Sequence, residues 1–145
     1  MAPSDRELEW LREHRSAAMI TIGDDGFPKA ARVGIALVGY ELWSSGTQDR
    51  VRTARLRRDP RCTLFVFDPR FEWMGLETTV TILDGPDAPA KNLELFRVMQ
   101  GKPTGALSWF GGELDESAFL QAMADEQRLI YRFDVLRTYG LSRSG

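Results

Sequence analysis

Short apolar or alternating runs, separated by turn residues, mark six strands along the chain, and four stretches of helical spacing lie among them. The first helix is signalled by Ser4 as cap, Glu7 three residues later, and Leu8 and Leu11 on one face with Trp10 beside them; it ends near His14. "AAMITIG" reads as a buried strand, and Asp25-Gly26 as the hairpin turn into a second, "PKAARVGIALV", which starts at the edge-tolerant Pro28. Gly39 turns the chain into a third strand, "YELWSSG". A short helix capped by Thr47 or Asp49 runs to about Arg58, where Pro60 stops it. Strands "CTLFVFD" and "GLETTVTILDG" follow, then helices from about Asp87 to Gln100 and from about Asp115 to Gln127. The last strand, "RLIYRFDVLRTYG", places Leu129, Tyr131, Phe133, Val135, Arg137 and Tyr139 on one face at period two. This pattern predicts a mainly β (α+β) protein: a six-stranded antiparallel meander closing into a small barrel, with flanking helices.

The 145 residues are the size of one domain, and residues 1–145 are read as one, without repeat or linker. With 43% apolar and 28% charged residues, the chain has too much aliphatic content for disorder. Cys62 is the only cysteine, which excludes an intrachain disulfide, and "CTLFVF" marks it as a small buried residue. His14 is the only histidine, so a His-based metal site or catalytic triad would rest on it alone; an exposed helix end suits it better. The opening residues are charged where a leader's apolar region would be, and no apolar run approaches a membrane span, so the cytosol is the expected compartment.

Charge alters the picture at one place. Six arginines fall in the twelve positions from Arg50 to Arg61, yet the formal net charge is -2. A dedicated nucleic-acid binder carries a basic footprint over the whole domain, so these arginines act locally. On an ideal helix Arg50, Arg57 and Arg61 share one side while Arg52 and Arg55 point roughly opposite, which argues against a single DNA-facing stripe. Two readings stand. The cluster is a solvated helix face, or Arg50 and Arg52 sit at a strand-to-helix turn with Ser44, Ser45, Gly46 and Thr47 and converge on an anion such as phosphate.

"TIGDDGFPKAARVGIALV", "LWSSG", "RVRTARLRRDPR" and the closing "RFDVLRTYG" together resemble the pyridoxamine 5'-phosphate oxidase-like split β-barrel superfamily, of FMN-binding split-barrel type. More narrowly, they look like its actinobacterial branch of flavin- and deazaflavin-dependent oxidoreductases. The resemblance spans nearly the whole chain and implies a homodimer with two cofactor sites, each built from both chains. It implies that Arg50 and Arg52 hold a cofactor phosphate, and that Ala31, Arg32, Val33 and Gly34, with Leu42, Trp43, Ser44 and Ser45, line a tricyclic ring. Many relatives have lysine where this chain has Arg52, and asparagine where it has Arg55.

The cofactor of such a site carries the hydride chemistry itself, and no triad, metal spacing or carboxylate pair is evident in the sequence. Coenzyme F-420, a deazaflavin, is favoured, because Arg55 and Arg58 could meet its anionic polyglutamate tail; FMN is the alternative, and a non-enzymatic flavin- or haem-binding relative the third reading. The expected partners are a second copy of the chain and a small-molecule substrate, with neither nucleic acid nor membrane. Trp73 either covers the ring or closes the core. Residues 104–116, with Trp109 and Phe110, either reach a partner's substrate pocket or form a surface loop packed by its own aromatics.

Overall fold

The Ser4 hydroxyl accepts from the Glu7 N–H at 3.1 Å while the Glu7 carboxylate accepts from the Ser4 N–H at 2.9 Å, and this reciprocal pair starts helix α1 (Asp5–Glu13). In the computed structural model, which describes residues 3–141, α1 is followed by β1 (Ser16–Ile22), β2 (Pro28–Gly34), β3 (Ala36–Val38), β4 (Glu41–Thr47) and helix α2 (Val51–Arg58). Then come β5 (Arg61–Phe67), β6 (Trp73–Leu83), helix α3 (Ala88–Gln100), β7 (Leu107–Trp109), β8 (Gly112–Leu114), helix α4 (Glu116–Asp125) and β9 (Arg128–Tyr139).

The main sheet has seven strands rather than six, all paired antiparallel in the order β2-β1-β5-β6-β9-β4-β3. The extra strand arises because "PKAARVGIALV" is not one strand. At Ile35, fully buried and bonded through its N–H to the Arg15 carbonyl at 3.0 Å, the chain leaves β1 and goes on to pair with β4. The two edge strands of the sheet are therefore consecutive in the chain. That continuity curls the sheet on itself, and the Ser44 hydroxyl ties the closing seam by donating to the Gly34 carbonyl at 2.6 Å. Two further strands, β7 and β8, form a separate ribbon within the Gly-rich segment expected as a loop; their three-residue length leaves little periodicity to read.

Met19, Leu64, Met74 and Leu76 are fully buried inside the curl, and α1 lays Trp10 and Leu11 into the same core. Burial of each such side chain stabilises by roughly 2 kcal/mol. On the outer face of the sheet, Trp43 and Ile130 pack against Leu95 of α3. Leu107, Phe119 and Met123 form a third cluster that brings the β7–β8 ribbon against the two helices.

The single inward face expected for the last strand breaks near its end. Val135 pairs with Thr78 but Arg137 with Glu77, so Leu136 is an extra residue in the ladder. Beyond this bulge the phase is reversed. Arg137 and Tyr139 are exposed, and Thr138 turns inward to donate to the buried Glu7 at 2.6 Å. His14 is half-buried, with its ring stacked on Trp10 at 3.9 Å. Among the described residues no helix is long and apolar enough to cross a membrane.

Candidate functional site

Helix α2 begins where β4 ends, and no side chain caps it: its N-cap is Arg50, whereas Thr47 spends its hydroxyl on Asp49 at 2.7 Å. The expectation of a Thr47 or Asp49 cap is thus corrected. Ser45 donates to Asn92 Oδ1 at 2.5 Å, and Asn92, wholly buried in α3, donates to the Ala88 carbonyl at 2.9 Å. These bonds and Trp43 beneath α3 fix that helix where Phe96 and Met99 reach the closing seam of the barrel. Met99 packs so closely there that a Cβ at Gly34 would displace the end of its flexible side chain.

The result is a cavity of about 190 Å³ walled by Val33, Gly34, Ser44, Ser45, Phe96 and Met99 and carrying four arginines: Arg32, Arg50, Arg52 and Arg128. Arg128 forms an ion pair with Glu126 at 2.9 Å. Arg32, Arg50 and Arg52 pair with no carboxylate among the described residues. The Nε atoms of Arg50 and Arg52 are buried without any hydrogen-bond partner. Burial pushes the Arg52 guanidinium below its ordinary value; the Tyr131 hydroxyl acts against this, and the Arg50 and Arg128 charges add to it. Partly desolvated like charges without a carboxylate partner are costly, and an anion relieves that cost. Both cavity serines already donate their protons, to Gly34 O and to Asn92 Oδ1, so the guanidinium groups are the site's principal donors.

A hydrogen-bonded series supports the cavity from below. Thr53 donates to the Thr47 carbonyl at 2.8 Å, which leaves its oxygen to accept from Tyr131. The buried Tyr131 ring fits there because residue 46 is glycine: a Cβ at Gly46 would collide with the ring.

Next to this cavity, and sharing Arg32 with it, lies an open groove of about 490 Å³ floored by Ser16, Ala17, Ala18, Ala30 and Ala31 and bounded by Phe67. Small side chains on paired strands β1 and β2 leave a flat, largely apolar floor. Beyond Phe67 an aromatic cluster continues at the surface, with Phe65 5.6 Å from Phe67 and 5.5 Å from Trp73, and Trp73 5.9 Å from Tyr139.

Of the residues singled out in the sequence, Arg32, Val33, Gly34, Ser44, Ser45, Arg50 and Arg52 come together at the arginine cavity, and Ala31 lies in the adjoining groove. Trp43, Thr47 and Arg55 lie outside both linings. Trp43 is buried under α3, with Nε1 donating to Glu41 at 2.9 Å. Arg58 pairs with Asp24 and the Ile22 carbonyl. Trp73 is 40% exposed, so it does not close the core; its neighbour Met74, on the opposite face of β6, does. Sequence reasoning missed Arg128, Phe96 and Met99. Arg128 lies far from the basic run, and Phe96 and Met99 read as ordinary helix-face residues. Cys62 is buried as expected, and burial pushes its thiol up to about 12. Among the described residues no cluster of three or more His, Cys, Asp or Glu could hold a metal ion.

No protein-family model and no curated protein matches the chain. Solved structures do. A conserved hypothetical protein of Mycobacterium tuberculosis superposes with a TM-score of 0.74 at 20% identity, covering 97% of this chain and 86% of that one. An F-420 reductase gives 0.68 at 19% identity, with 95% and 98% covered. A candidate pyridoxamine 5'-phosphate oxidase of Listeria innocua gives 0.66 at 15%, with 94% and 96% covered. The chain therefore shares their fold, a curled antiparallel half-barrel with flanking helices, consistent with the split barrel expected from the sequence but with seven strands in place of six.

Proposed function

We propose that this protein is an oxidoreductase that binds coenzyme F-420 and serves hydride transfer between the reduced cofactor and a small organic substrate. The observation that carries the reading is the pair of buried, partnerless Nε atoms of Arg50 and Arg52 in a four-arginine cavity that adjoins a flat, alanine-floored groove. An anion fits the first and an aromatic ring system the second, and the shared Arg32 sets the two beside each other. When bound, the cofactor supplies the redox chemistry. The residues of this chain bind and orient it: Arg50 and Arg52 hold the phosphate, Arg32 bridges phosphate and ring, and the alanines of β1 and β2 admit the ring face and exclude water.

F-420 is preferred to FMN because Arg32 and Arg128 exceed what one phosphate beside Arg50 and Arg52 needs, and F-420 carries a charged tail in addition. Arg58, committed to Asp24, is a poor candidate for that tail. FMN, with its single phosphate, is the second reading. We further propose that the protein is a homodimer. Phe67, 61% exposed, continues into Trp73 and Tyr139 at the rim of the groove, and a contiguous aromatic patch of this kind is ordinarily covered. A second copy seated there would complete the far wall of the groove.

Titration with F-420 and with FMN, followed by quenching of cofactor fluorescence and by the shift of its absorbance, tests the reading. Binding of F-420 with loss of affinity in Arg50→Ala is expected. Binding of neither cofactor by pure protein overturns it. Sedimentation at micromolar concentration tests the dimer, and a mass near 16 kDa would reject it.

A further inference from the structure

We infer that Arg128 is a fourth anion-binding side chain of the cavity and that Trp109, carried by the β7–β8 ribbon, positions it, so that the ribbon senses whether the cavity is filled. This rests on the reading of the cavity as the cofactor's phosphate site. Arg128 opens β9 opposite Thr47, and its side chain is 10% exposed. Its Nε donates backwards to Glu126 Oε1 at 2.9 Å, and the two terminal nitrogens have no protein acceptor among the described residues. The same carboxylate accepts from Trp109 Nε1 through its other oxygen, also at 2.9 Å. The indole lies over the guanidinium, with the Arg128 Cζ 5.0 Å from the ring centroid.

Glu126 thus clamps two groups to each other, one from the cavity wall and one from the ribbon. A second cavity wall residue bears on the same indole: Phe96 meets Trp109 edge-on at 5.0 Å. Phe119 at 5.4 Å and Phe110 at 5.0 Å also meet Trp109 edge-on. An anion that engages the terminal nitrogens draws on a guanidinium already shared by the Glu126 carboxylate and the indole face, and moves charge relative to the ring. Occupancy of the cavity is in this way transmitted to a segment outside it. The sequence did not reveal this link, since Glu126 and Arg128 lie at one turn but Trp109 lies on a separate element far from it in the chain.

The test compares the parent with Arg50→Ala, Arg128→Gln, Arg128→Lys and Trp109→Phe. Arg128→Lys keeps the charge but loses the fork. Trp109→Phe keeps an aromatic ring between Phe96 and Phe119 but loses the bond to Glu126. Loss of a charge-assisted contact predicts that Arg128→Gln binds F-420 about tenfold more weakly and Arg128→Lys several-fold more weakly, with melting temperatures near the parent's. Trp109→Phe weakens binding about threefold in the parent and not at all in the Arg128→Gln background, a pattern that a merely structural role would not give. Inorganic phosphate should change the tryptophan emission of the parent and leave that of Trp109→Phe unchanged. If Arg50→Ala weakens F-420 binding while both Arg128 variants bind as the parent does, or if phosphate leaves Trp109 emission unaltered, the inference falls and the cofactor reading stands. If Arg50→Ala binds as the parent does, the cofactor reading falls and takes the inference with it.

Discussion

Arg50 and Arg52 stand at one end of a basic run, and Arg57, Arg58 and Arg61 at the other, yet the fold gives them opposite surroundings. At the far end each guanidinium meets a carboxylate in the open: Arg57 with Asp84 at 3.0 Å, Arg58 with Asp24, and Arg61 with Asp59 at 2.7 Å. At the near end two guanidinium groups turn into a cavity that also receives Arg32 and Arg128, and their Nε atoms are buried without acceptors. Residues 50–55 and residues 56–61 hold three arginines each. The difference lies in desolvation and pairing, and only the unpaired half stores a free-energy cost that a ligand can relieve.

The largest expected effect falls on the near half. Arg50→Ala and Arg52→Ala should each lose roughly 1.5–3 kcal/mol of cofactor binding, about tenfold or more in Kd by fluorescence titration. Thermal stability should hold or rise, because an unrelieved desolvation cost is removed. A fall in stability without a change in binding would show these arginines to be ordinary structural residues. Next in size, Gly46→Ala should destabilise the fold by about 1–3 kcal/mol in urea unfolding, since its methyl group overpacks the pinned Tyr131 ring below the cavity.

The far half should respond weakly. Arg57→Ala and Arg58→Ala are each expected to cost about 0–1 kcal/mol of stability and to leave cofactor affinity unchanged at low and at high salt. Loss of F-420 affinity in Arg58→Ala, absent for FMN, would instead place the charged tail along α2. The smallest effect concerns acid. Hydrogen bonds from the Arg61 side chain and backbone hold the Asp59 carboxyl at about 2, below its ordinary 3.8. A depressed folded-state value contributes stability that is present above about 3.8 and lost as pH falls through about 2. Asp59→Asn should therefore flatten the melting temperature between those two values and leave the near-half arginines' binding at neutral pH untouched.

The local features were readable because their causes are local. The Ser4–Glu7 box needs only a three-residue spacing, and the Asp25-Gly26 turn only two residues able to take the required backbone. Short apolar runs and turn residues located β1, β4 and β5 for the same reason, and alternation located β6, because the pleat repeats every two residues wherever one face is buried. Where a long-range contact overrides the local pattern, the sequence misleads. Nothing in "PKAARVGIALV" says that Ile35 will be captured by the Arg15 carbonyl, yet that capture makes one strand two and closes the barrel. Nothing in the alternation of β9 says that Leu136 will bulge, or that Thr138 will turn to meet Glu7.

The candidate site divides along the same line. The sequence by itself located a run of small polar residues, Ser44 to Thr47, between a strand and the Arg50–Arg52 segment, because a few consecutive residues mark it, and left open whether those arginines face an anion or solvent. Tertiary structure alone decided that Arg32 and Arg128 join them, that Arg57 and Arg58 are neutralised, that Trp43 serves to anchor α3, and that Trp73 lies at the surface. Each of those outcomes depends on which groups lie within a few ångströms after the sheet has curled. Burial and pairing are properties of that arrangement, so no spacing along the chain encodes them.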